Sequence, residues 1–250
     1  MRVALVIQYD GKNFCGWQIQ PNVRTVQETV EKALYELTGQ NCPVTASGRT
    51  DSGVHAFCQV AHFDCESTIP AQNYARALNV ILPSDVKIVK SMKAPNDFHA
   101  RFSAKKKTYR YTFYLSDVEL PLFEPYATRI TRAHINNMKE GAKRLVGEHD
   151  FRCFLASNSS VKDTVRTIYS CKVTKSKNLI YIDVCGNGFL YNMVRTIAGT
   201  LLFVGEGKLE PKDIDGILNA KNRAVAGKTM HAKGLSLVKV EYKGIKIPKF

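Results

Sequence analysis

The sequence predicts an α+β fold made of two ferredoxin-like halves. Its 250 residues suit one large domain or two small ones, and its 44% apolar content is that of an ordinary globular chain. Two successive series of elements each read β-α-β-β-α-β, the order of the split βαβ unit. We therefore expect an N-terminal domain over 1–104 and a C-terminal domain over 105–250. The two would be related by pseudo-twofold symmetry, with sheets meeting at a central cleft.

The elements of the first series follow from hydrophobic periodicity. Residues 3–9 form a mostly apolar run, which is typical of a buried strand. A helix is predicted over 25–37, with Thr25 and Glu28 as a capping box and Gly39 as its stop. Two strands are predicted over 44–46 and 58–63. A helix with proline in its first turn follows over 70–82, and a third strand over 86–92.

The second series repeats this order. A strand over 108–115 carries a row of large apolar side chains, and a helix over 131–146 ends at Gly147. Two paired strands follow over 167–173 and 179–184. A long apolar helix is predicted over 190–204, a short helix over 213–219 and a final strand over 235–242.

The composition indicates which class of partner the protein binds and in which cellular compartment it works. A net charge of +14 favours a polyanionic partner, which RNA, DNA or an anionic membrane would satisfy. No apolar run is long enough to cross a membrane, and the first residues lack the pattern of a signal peptide. The seven cysteines are odd in number and contain no C-x-x-C pair. Free thiols in a reducing cytoplasm are therefore expected.

The chemically informative segment is the glycine-flanked loop over 46–56, which reads A-S-G-R-T-D-S-G-V-H-A. Aspartate and glycine by themselves indicate only a turn. The segment is not a phosphate loop, because Val54 and His55 stand where lysine and serine or threonine are required. The combination of a carboxylate, Asp51, with a guanidinium, Arg49, on a loop beside a sheet is typical of a catalytic site. His55 is expected to be a structural hydrogen-bonding residue.

This loop resembles the signature of the tRNA pseudouridine synthase A family, whose core is G-R-T-D-x-G-V-H. Further blocks match the family in order along nearly the whole chain. They lie at 9–11, 16–18, 24–27, 79, 82–83, 98–104, 109–111, 147–151, 188–190, 193–195, 233–235 and 237–238. Ser52 stands where the family often has alanine, and residues 229–232 replace a segment that often contains proline.

The resemblance implies a role for four residues. Asp51 corresponds to the catalytic aspartate, and Arg49 to the arginine that helps to displace the target base. Tyr109 corresponds to the tyrosine that stacks on uracil, and Arg195 to an arginine that pairs with the catalytic carboxylate. The resemblance also implies tRNA as substrate, uridines 38, 39 and 40 of the anticodon stem-loop as targets, and a homodimer with one tRNA spanning both subunits.

The chemistry of pseudouridine formation explains these residue types. The reaction breaks the N1–C1′ bond of uridine and joins C5 to C1′, an isomerisation that requires no cofactor. An ionised carboxylate can stabilise the positive charge that develops at C1′, as in glycosidases, attack C1′ or remove a proton. The sequence leaves these three roles of Asp51 open. The target base must be flipped out of its helix and held, for which an aromatic face is suited.

Basic residues elsewhere are candidates for holding the RNA backbone, although any one of them is more often a solvated charge. They are Arg24, Arg101, Lys105, Lys106, Lys107, Lys139, Lys143 and Arg144. Three histidines and two cysteines near the loop lack the usual spacing of zinc ligands, so no metal is predicted. The rival functions are a non-catalytic RNA-binding protein on the same scaffold, a base-releasing glycosylase, and a pseudouridine synthase with another RNA target.

Overall fold

The structure is a computed structural model that describes residues 1–156 and 161–248. The chain divides into two compact units. The first comprises Met1–Lys105 together with the residues from Ser236 on, and the second comprises Lys106–Leu235. Each unit combines helices with a mainly antiparallel sheet, so the predicted α+β class is confirmed.

The first unit follows the order β-α-β-β-α-β and adds the last strand of the chain. β1 lies between β4 and β3 and is antiparallel to both. The other edge of β3 pairs with β2 at its end and, in parallel, with β10 at its start. The elements are β1 (Arg2–Tyr9), α1 (Val26–Thr38), β2 (Thr45–Ala46), β3 (His55–Asp64), α2 (Tyr74–Ile81), β4 (Val86–Lys93) and β10 (Leu235–Tyr242).

The start of helix α1 differs from the prediction. Thr25 precedes the helix, but its side chain makes no capping hydrogen bond, so the predicted capping box is wrong. Instead, the N–H groups of Val26 and Gln27 donate to the carbonyl oxygens of Gly16 and Trp17, at 3.2 and 3.0 Å. A neighbouring segment thus satisfies donors that a cap would otherwise serve. The helix ends as expected, at a glycine, Gly39, with φ of 70°.

The second unit contains a sheet in the order β5-β9-β8-β7, in which each neighbouring pair is antiparallel, and β6 lies parallel to β5. Helix α3 packs on α4 and on β8. The elements are β5 (Ala104–Leu115), β6 (Thr128–Ile130), α3 (Ile135–Arg144), β7 (Gly147–Asp150), β8 (Val165–Ser176), β9 (Leu179–Gly186), α4 (Met193–Gly205) and α5 (Asp213–Ala220).

Three predicted helices start later than expected. The stretch before α2 forms a turn of 3-10 helix, Ala71–Asn73. Residues 131–134, between β6 and α3, are irregular, so α3 begins at Ile135. α4 begins only after Asn192, whose φ of 60° is left-handed. β6 and β7 were not predicted. They read T-R-I and G-E-H-D and contain one apolar residue between them, so no hydrophobic pattern indicates a strand there.

Candidate active site

The loop that carries Asp51 joins β2 to β3 and alternates between anchored and accessible residues. Thr50 and Val54 are buried, Asp51 is half-buried, and Arg49 and Ser52 are at least partly exposed. Asp51 therefore lies between two buried residues, Thr50 and Val54, that anchor the loop. Such an arrangement can present a reactive group to a substrate while the backbone beneath it stays fixed.

The entry to the loop is tied to β3. Ser47 donates its N–H to the carbonyl of Val60 at 2.7 Å, and its Oγ donates to Gln59 Oε1 at 2.6 Å. Gln59 Nε2 in turn donates to the carbonyl of Gly48 at 2.9 Å. Gln59 is fully buried, so these hydrogen bonds lie away from competing water. The two residues before Arg49 are thereby fixed to the sheet.

The middle of the loop is held by the end of β1 and the segment that follows it. We call this set of contacts, made by Tyr9, Phe14 and Trp17, the clamp. Trp17 N–H donates to the carbonyl of Thr50 at 3.0 Å, and the Tyr9 hydroxyl shares a 2.7 Å hydrogen bond with Thr50 Oγ1. Gly53 N–H donates to the carbonyl of Phe14 at 3.2 Å. Burial raises the pKa of Tyr9 to about 12, so its hydroxyl keeps its proton at neutral pH. Backbone and side chain of the residue before Asp51 are thus both held.

Two glycines allow this clamp to approach so closely. A Cβ on Gly11 would lie 2.0 Å from the carbonyl oxygen of Val54, and one on Gly16 would lie 2.5 Å from that of Thr50. Gly16 also has φ of 82°, which favours glycine. Sequence reasoning matched these positions to the family but missed their structural role. The contacts join residues more than thirty positions apart, and no local pattern reports them.

His55 connects the loop to the same segment. Its Nδ1 accepts the N–H of Gly11 at 3.0 Å and lies 3.1 Å from Oδ1 of Asp10. The ring is buried at the first position of β3. The structural hydrogen bond expected of His55 is therefore present.

In the second unit, Tyr109 lies on β5 opposite Val184 of β9. Its ring meets the ring of Phe189 edge to face, with centroids 5.1 Å apart and planes at 84°. Such a contact is favourable and fixes the orientation of both rings. Only 8% of Tyr109 is exposed.

Arg195 lies in the first turn of α4 and is half-buried. Its Nε donates to the carbonyl of Met230 at 2.7 Å, and Nη1 donates to Oδ1 of Asn192 at 2.6 Å. Met230 N–H donates back to the carbonyl of Arg195 at 3.2 Å. The planar guanidinium is thus oriented by a helix start on one side and by the chain around Met230 on the other.

The segment that holds Arg195 is itself braced. The hydroxyl of Tyr111 donates to the carbonyl of His231 at 2.8 Å and also contacts Thr128 Oγ1 at 2.7 Å. Lys233 pairs with Glu124, which also accepts the hydroxyl of Tyr114. We call residues 227–234 the brace. It falls on the 229–232 stretch in which the sequence departs from the family pattern.

The candidate RNA-binding residues differ in their surroundings. Arg24 forms a two-pronged ion pair with Asp85 at 2.6 and 2.8 Å, and its guanidinium lies 4.1 Å from the ring centre of Phe14. Arg49, by contrast, has no ion pair within residues 1–156 and 161–248. Exposed or half-exposed lysines occupy the start of β5, at Lys105, Lys106 and Lys107.

The other basic candidates also divide by environment. The guanidinium of Arg101 lies 5.6 Å from the ring centre of Phe102, and Lys106 Nζ lies 4.7 Å from that of Tyr169. On α3, Lys143 pairs with Glu140, and Arg144 pairs with an aspartate of α5. Lys139 is exposed on the same helix. The helical charges are therefore partly neutralised by neighbours.

Comparison with known proteins decides the family. A family model described as tRNA pseudouridine synthase matches residues 5–103 and 142–243, most of the chain. This chain belongs to the tRNA pseudouridine synthase family. The resemblance drawn from the loop and its accompanying blocks is confirmed, and so is the prediction of an enzyme of the isomerase class.

Relatives of this synthase are similar along almost their whole length. The tRNA pseudouridine synthase A of Ruminiclostridium cellulolyticum is 47% identical over 251 residues, which covers 96% of this chain and 99% of the relative. That of Bacillus subtilis is 46% identical over 245 residues, which covers 97% and 99%. A solved structure titled "Crystal Structure of a Cbf5-Nop10-Gar1 Complex" aligns at 12% identity and a TM-score of 0.39. It covers 94% of this chain and 57% of that chain, a likeness too weak to carry weight.

Two absences complete the description of the synthase. Within residues 1–156 and 161–248, no group of three or more His, Cys, Asp and Glu side chains could hold a metal ion. In the same part of the chain, no helix combines the length and the apolar character needed to cross a bilayer.

Proposed function

We propose that this synthase converts uridine to pseudouridine at positions 38, 39 and 40 of the tRNA anticodon stem-loop, with Asp51 as its catalytic carboxylate. The target positions rest on the family resemblance, and the observation that supports the role of Asp51 is the loop. A half-buried aspartate follows a threonine held by both backbone and side chain, and an arginine without an ion pair in the described chain stands two residues before it.

Asp51 would act where charge develops. Cleavage of the N1–C1′ bond makes C1′ electron-poor, and an ionised carboxylate beside it lowers the energy of that state. The clamp supports this role, because a carboxylate on a fixed backbone loses little freedom when substrate binds. Whether the carboxylate attacks C1′ or removes a neighbouring proton depends on its position relative to bound ribose.

Arg49 is proposed to hold the RNA while the base is flipped out. Flipping costs a few kcal/mol, and a guanidinium can offset part of that cost by binding phosphate or by filling the vacated space. Its surroundings support the role, because no protein carboxylate competes for it in the described chain. In the second unit, Tyr109 is proposed to stack on the uracil, and Arg195 to keep the catalytic carboxylate ionised.

The test is pseudouridine formation on unmodified tRNA transcripts, mapped chemically base by base. Asp51→Asn removes the charge and keeps the shape, and we expect the rate to fall by about 10²-fold or more. Asp97→Asn is the matched control, since it removes an exposed carboxylate outside the loop. Normal turnover by Asp51→Asn would refute the proposed role, and modification at other positions would refute the proposed target.

The same assay separates the rival functions. A glycosylase would release free uracil and leave an abasic site, whereas a synthase keeps the base attached and leaves the mass of the RNA unchanged. A non-catalytic RNA-binding protein would bind the transcript and change nothing in it. Chromatography of the products and mass spectrometry of the RNA distinguish all three outcomes.

We further propose a cytoplasmic homodimer in which one tRNA spans both subunits. The cytoplasm is supported by the cysteines, since all seven are free thiols. The homodimer rests on the family resemblance alone. Mass photometry with and without tRNA would show whether two copies associate and how many tRNA molecules they hold.

A further inference from the structure

Phe102 is a large apolar side chain left in solvent, with 75% of its surface exposed. It belongs to the stretch of residues 94–103 that follows β4 in the first unit. Its ring lies against the ring of His99, with centroids 4.3 Å apart and planes at 30°. Isolated exposed apolar residues are common and need no explanation by themselves. The surroundings of this residue set it apart.

Phe102 is the outermost ring of a continuous series. The rings of Tyr242 and Phe98 are 5.0 Å apart, those of Phe98 and His62 are 5.9 Å apart, and those of His62 and His99 are 5.0 Å apart. Phe98 and His62 are buried, and exposure rises from there to Phe102. The exposed ring therefore rests on a support that extends into the core of the unit.

The backbone beneath the ring is held by a set of hydrogen bonds. His99 Nδ1 accepts the N–H groups of both Arg101 and Phe102 at 3.2 Å. Ser103 closes the turn in both directions, because its N–H donates to the carbonyl of His99 and its Oγ accepts the His99 N–H. Ala100 N–H donates to Nδ1 of His62 at 3.2 Å. The backbone that carries the ring is thus fixed before any partner arrives, which reduces the entropy lost on binding.

The chemistry of the turn favours a nucleic acid over an apolar partner. Arg101 is exposed, and its guanidinium lies 5.6 Å from the ring centre of Phe102. Lys105 is exposed a few residues further on, and the whole chain carries a charge of +14. An aromatic face beside cations is the arrangement that binds unpaired bases and their phosphates.

We propose that Phe102 and Arg101 form a docking platform for tRNA, on which an unpaired base stacks against the ring while the guanidinium binds an adjacent phosphate. This proposal rests on tRNA being the substrate, as stated in the proposed function. The platform would serve affinity and placement of the RNA rather than the chemical step.

The test is the affinity of each variant for an unmodified tRNA transcript at one fixed salt concentration. Phe102→Ala should weaken binding about tenfold, because stacking contributes roughly 1–3 kcal/mol per base. Phe102→Trp should bind within about twofold of wild type, since it keeps an aromatic face. Val80→Ala is the matched control, because it trims another apolar side chain that is mostly in solvent, 85% exposed, on α2. Wild-type affinity of Phe102→Ala would overturn the proposal.

Turnover separates this proposal from the proposed catalysis. Phe102→Ala should raise KM and keep kcat at saturating tRNA, whereas Asp51→Asn should lose kcat and keep its affinity. If Asp51→Asn loses activity but Phe102→Ala binds tRNA normally, the platform is refuted and the catalytic role stands. If Phe102→Ala binds tRNA weakly but Asp51→Asn keeps its activity, only the catalytic role is refuted. A changed particle mass of Phe102→Ala, without RNA, would assign the ring to contact between copies and overturn the proposal.

Discussion

At the scale of single residues, what matters is the set of contacts that each side chain has in the fold. The sequence predicts that both Arg24 and Arg49 act on the RNA, the first by holding its backbone and the second by displacing the target base. In the structure, Arg24 is paired with Asp85, whereas Arg49 has no ion pair in the described chain. Trp17 and Tyr9 look like ordinary packing residues, yet together they hold the residue that precedes Asp51. The sequence shows which residues have the chemistry to act on RNA. It does not show whether another side chain already pairs with them.

Gly11→Ala should damage the synthase without touching the substrate. The added Cβ would lie 2.0 Å from the carbonyl oxygen of Val54, so the loop or the segment after β1 must move. Gly216→Ala is the matched control, because a Cβ there meets nothing within 4 Å. We expect turnover to fall tenfold or more, on the order of 1.4 kcal/mol or above, together with a lower Tm.

Steady-state kinetics and thermal unfolding of the two variants check this prediction. Unchanged activity and Tm in Gly11→Ala would show that the clamp tolerates a shift and does not determine the placement of the loop.

At the scale of elements, tertiary contacts override local signals at element ends. α1 starts within one residue of the prediction but without the predicted capping box, because carbonyl oxygens of a neighbouring segment accept its first N–H groups. The brace shows the same effect. It contains a 3-10 turn, Ala232–Gly234, but residues 227–234 carry no hydrophobic periodicity that would predict how the segment is held. The segment is held by the hydroxyl of Tyr111, a residue more than a hundred positions earlier, and it holds Arg195 in turn.

Tyr111→Phe should therefore slow the reaction through the brace. It removes the hydroxyl that donates to the carbonyl of His231, which frees the segment whose Met230 carbonyl orients Arg195. We expect kcat to fall about tenfold while the affinity for tRNA changes little, because a guanidinium that is less well oriented in the transition state costs about 1.4 kcal/mol. Tyr74→Phe, which removes another buried phenol oxygen in the first unit, should retain full activity.

A double-mutant cycle distinguishes positioning from general destabilisation. In an Arg195→Ala background, Tyr111→Phe should produce little further decrease of kcat, since both changes act on one guanidinium. Additive decreases would show that Tyr111 affects the enzyme by another route. If Arg195→Ala alone turns over normally, the role proposed for that arginine is wrong, whatever Tyr111 does.

At the scale of the whole molecule, positive charge dominates. The chain carries 36 lysine and arginine residues against 22 aspartate and glutamate residues. Part of this charge is neutralised by ion pairs, as on α3, and part is exposed, as at Lys105 and Lys106. A surface of this kind attracts RNA at long range and makes the affinity depend on salt.

The logarithm of the affinity for tRNA should fall linearly as the logarithm of the salt concentration rises. Replacing Lys105 and Lys106 together by glutamine should reduce the slope by about 0.7–0.9 for each phosphate group that these lysines neutralise in the wild type. Lys32→Gln is the matched control, since Lys32 is exposed but paired with Glu28 at 2.6 Å on α1. Filter binding over a range of salt concentrations measures both slopes. A slope that the double variant leaves unchanged would exclude these lysines from the RNA-binding surface.

The sequence by itself determined the family, the α+β class, most of the helices and strands, and the loop that carries Asp51. These follow from periodicity, glycine positions and the order of short motifs, all of which are local properties of the chain. Only the tertiary structure decided how that loop is clamped, which arginines are paired, what orients Arg195, and where an exposed ring rests on a buried series. Each of these depends on contacts between residues far apart in the chain, because side-chain and carbonyl partners are brought together only by packing.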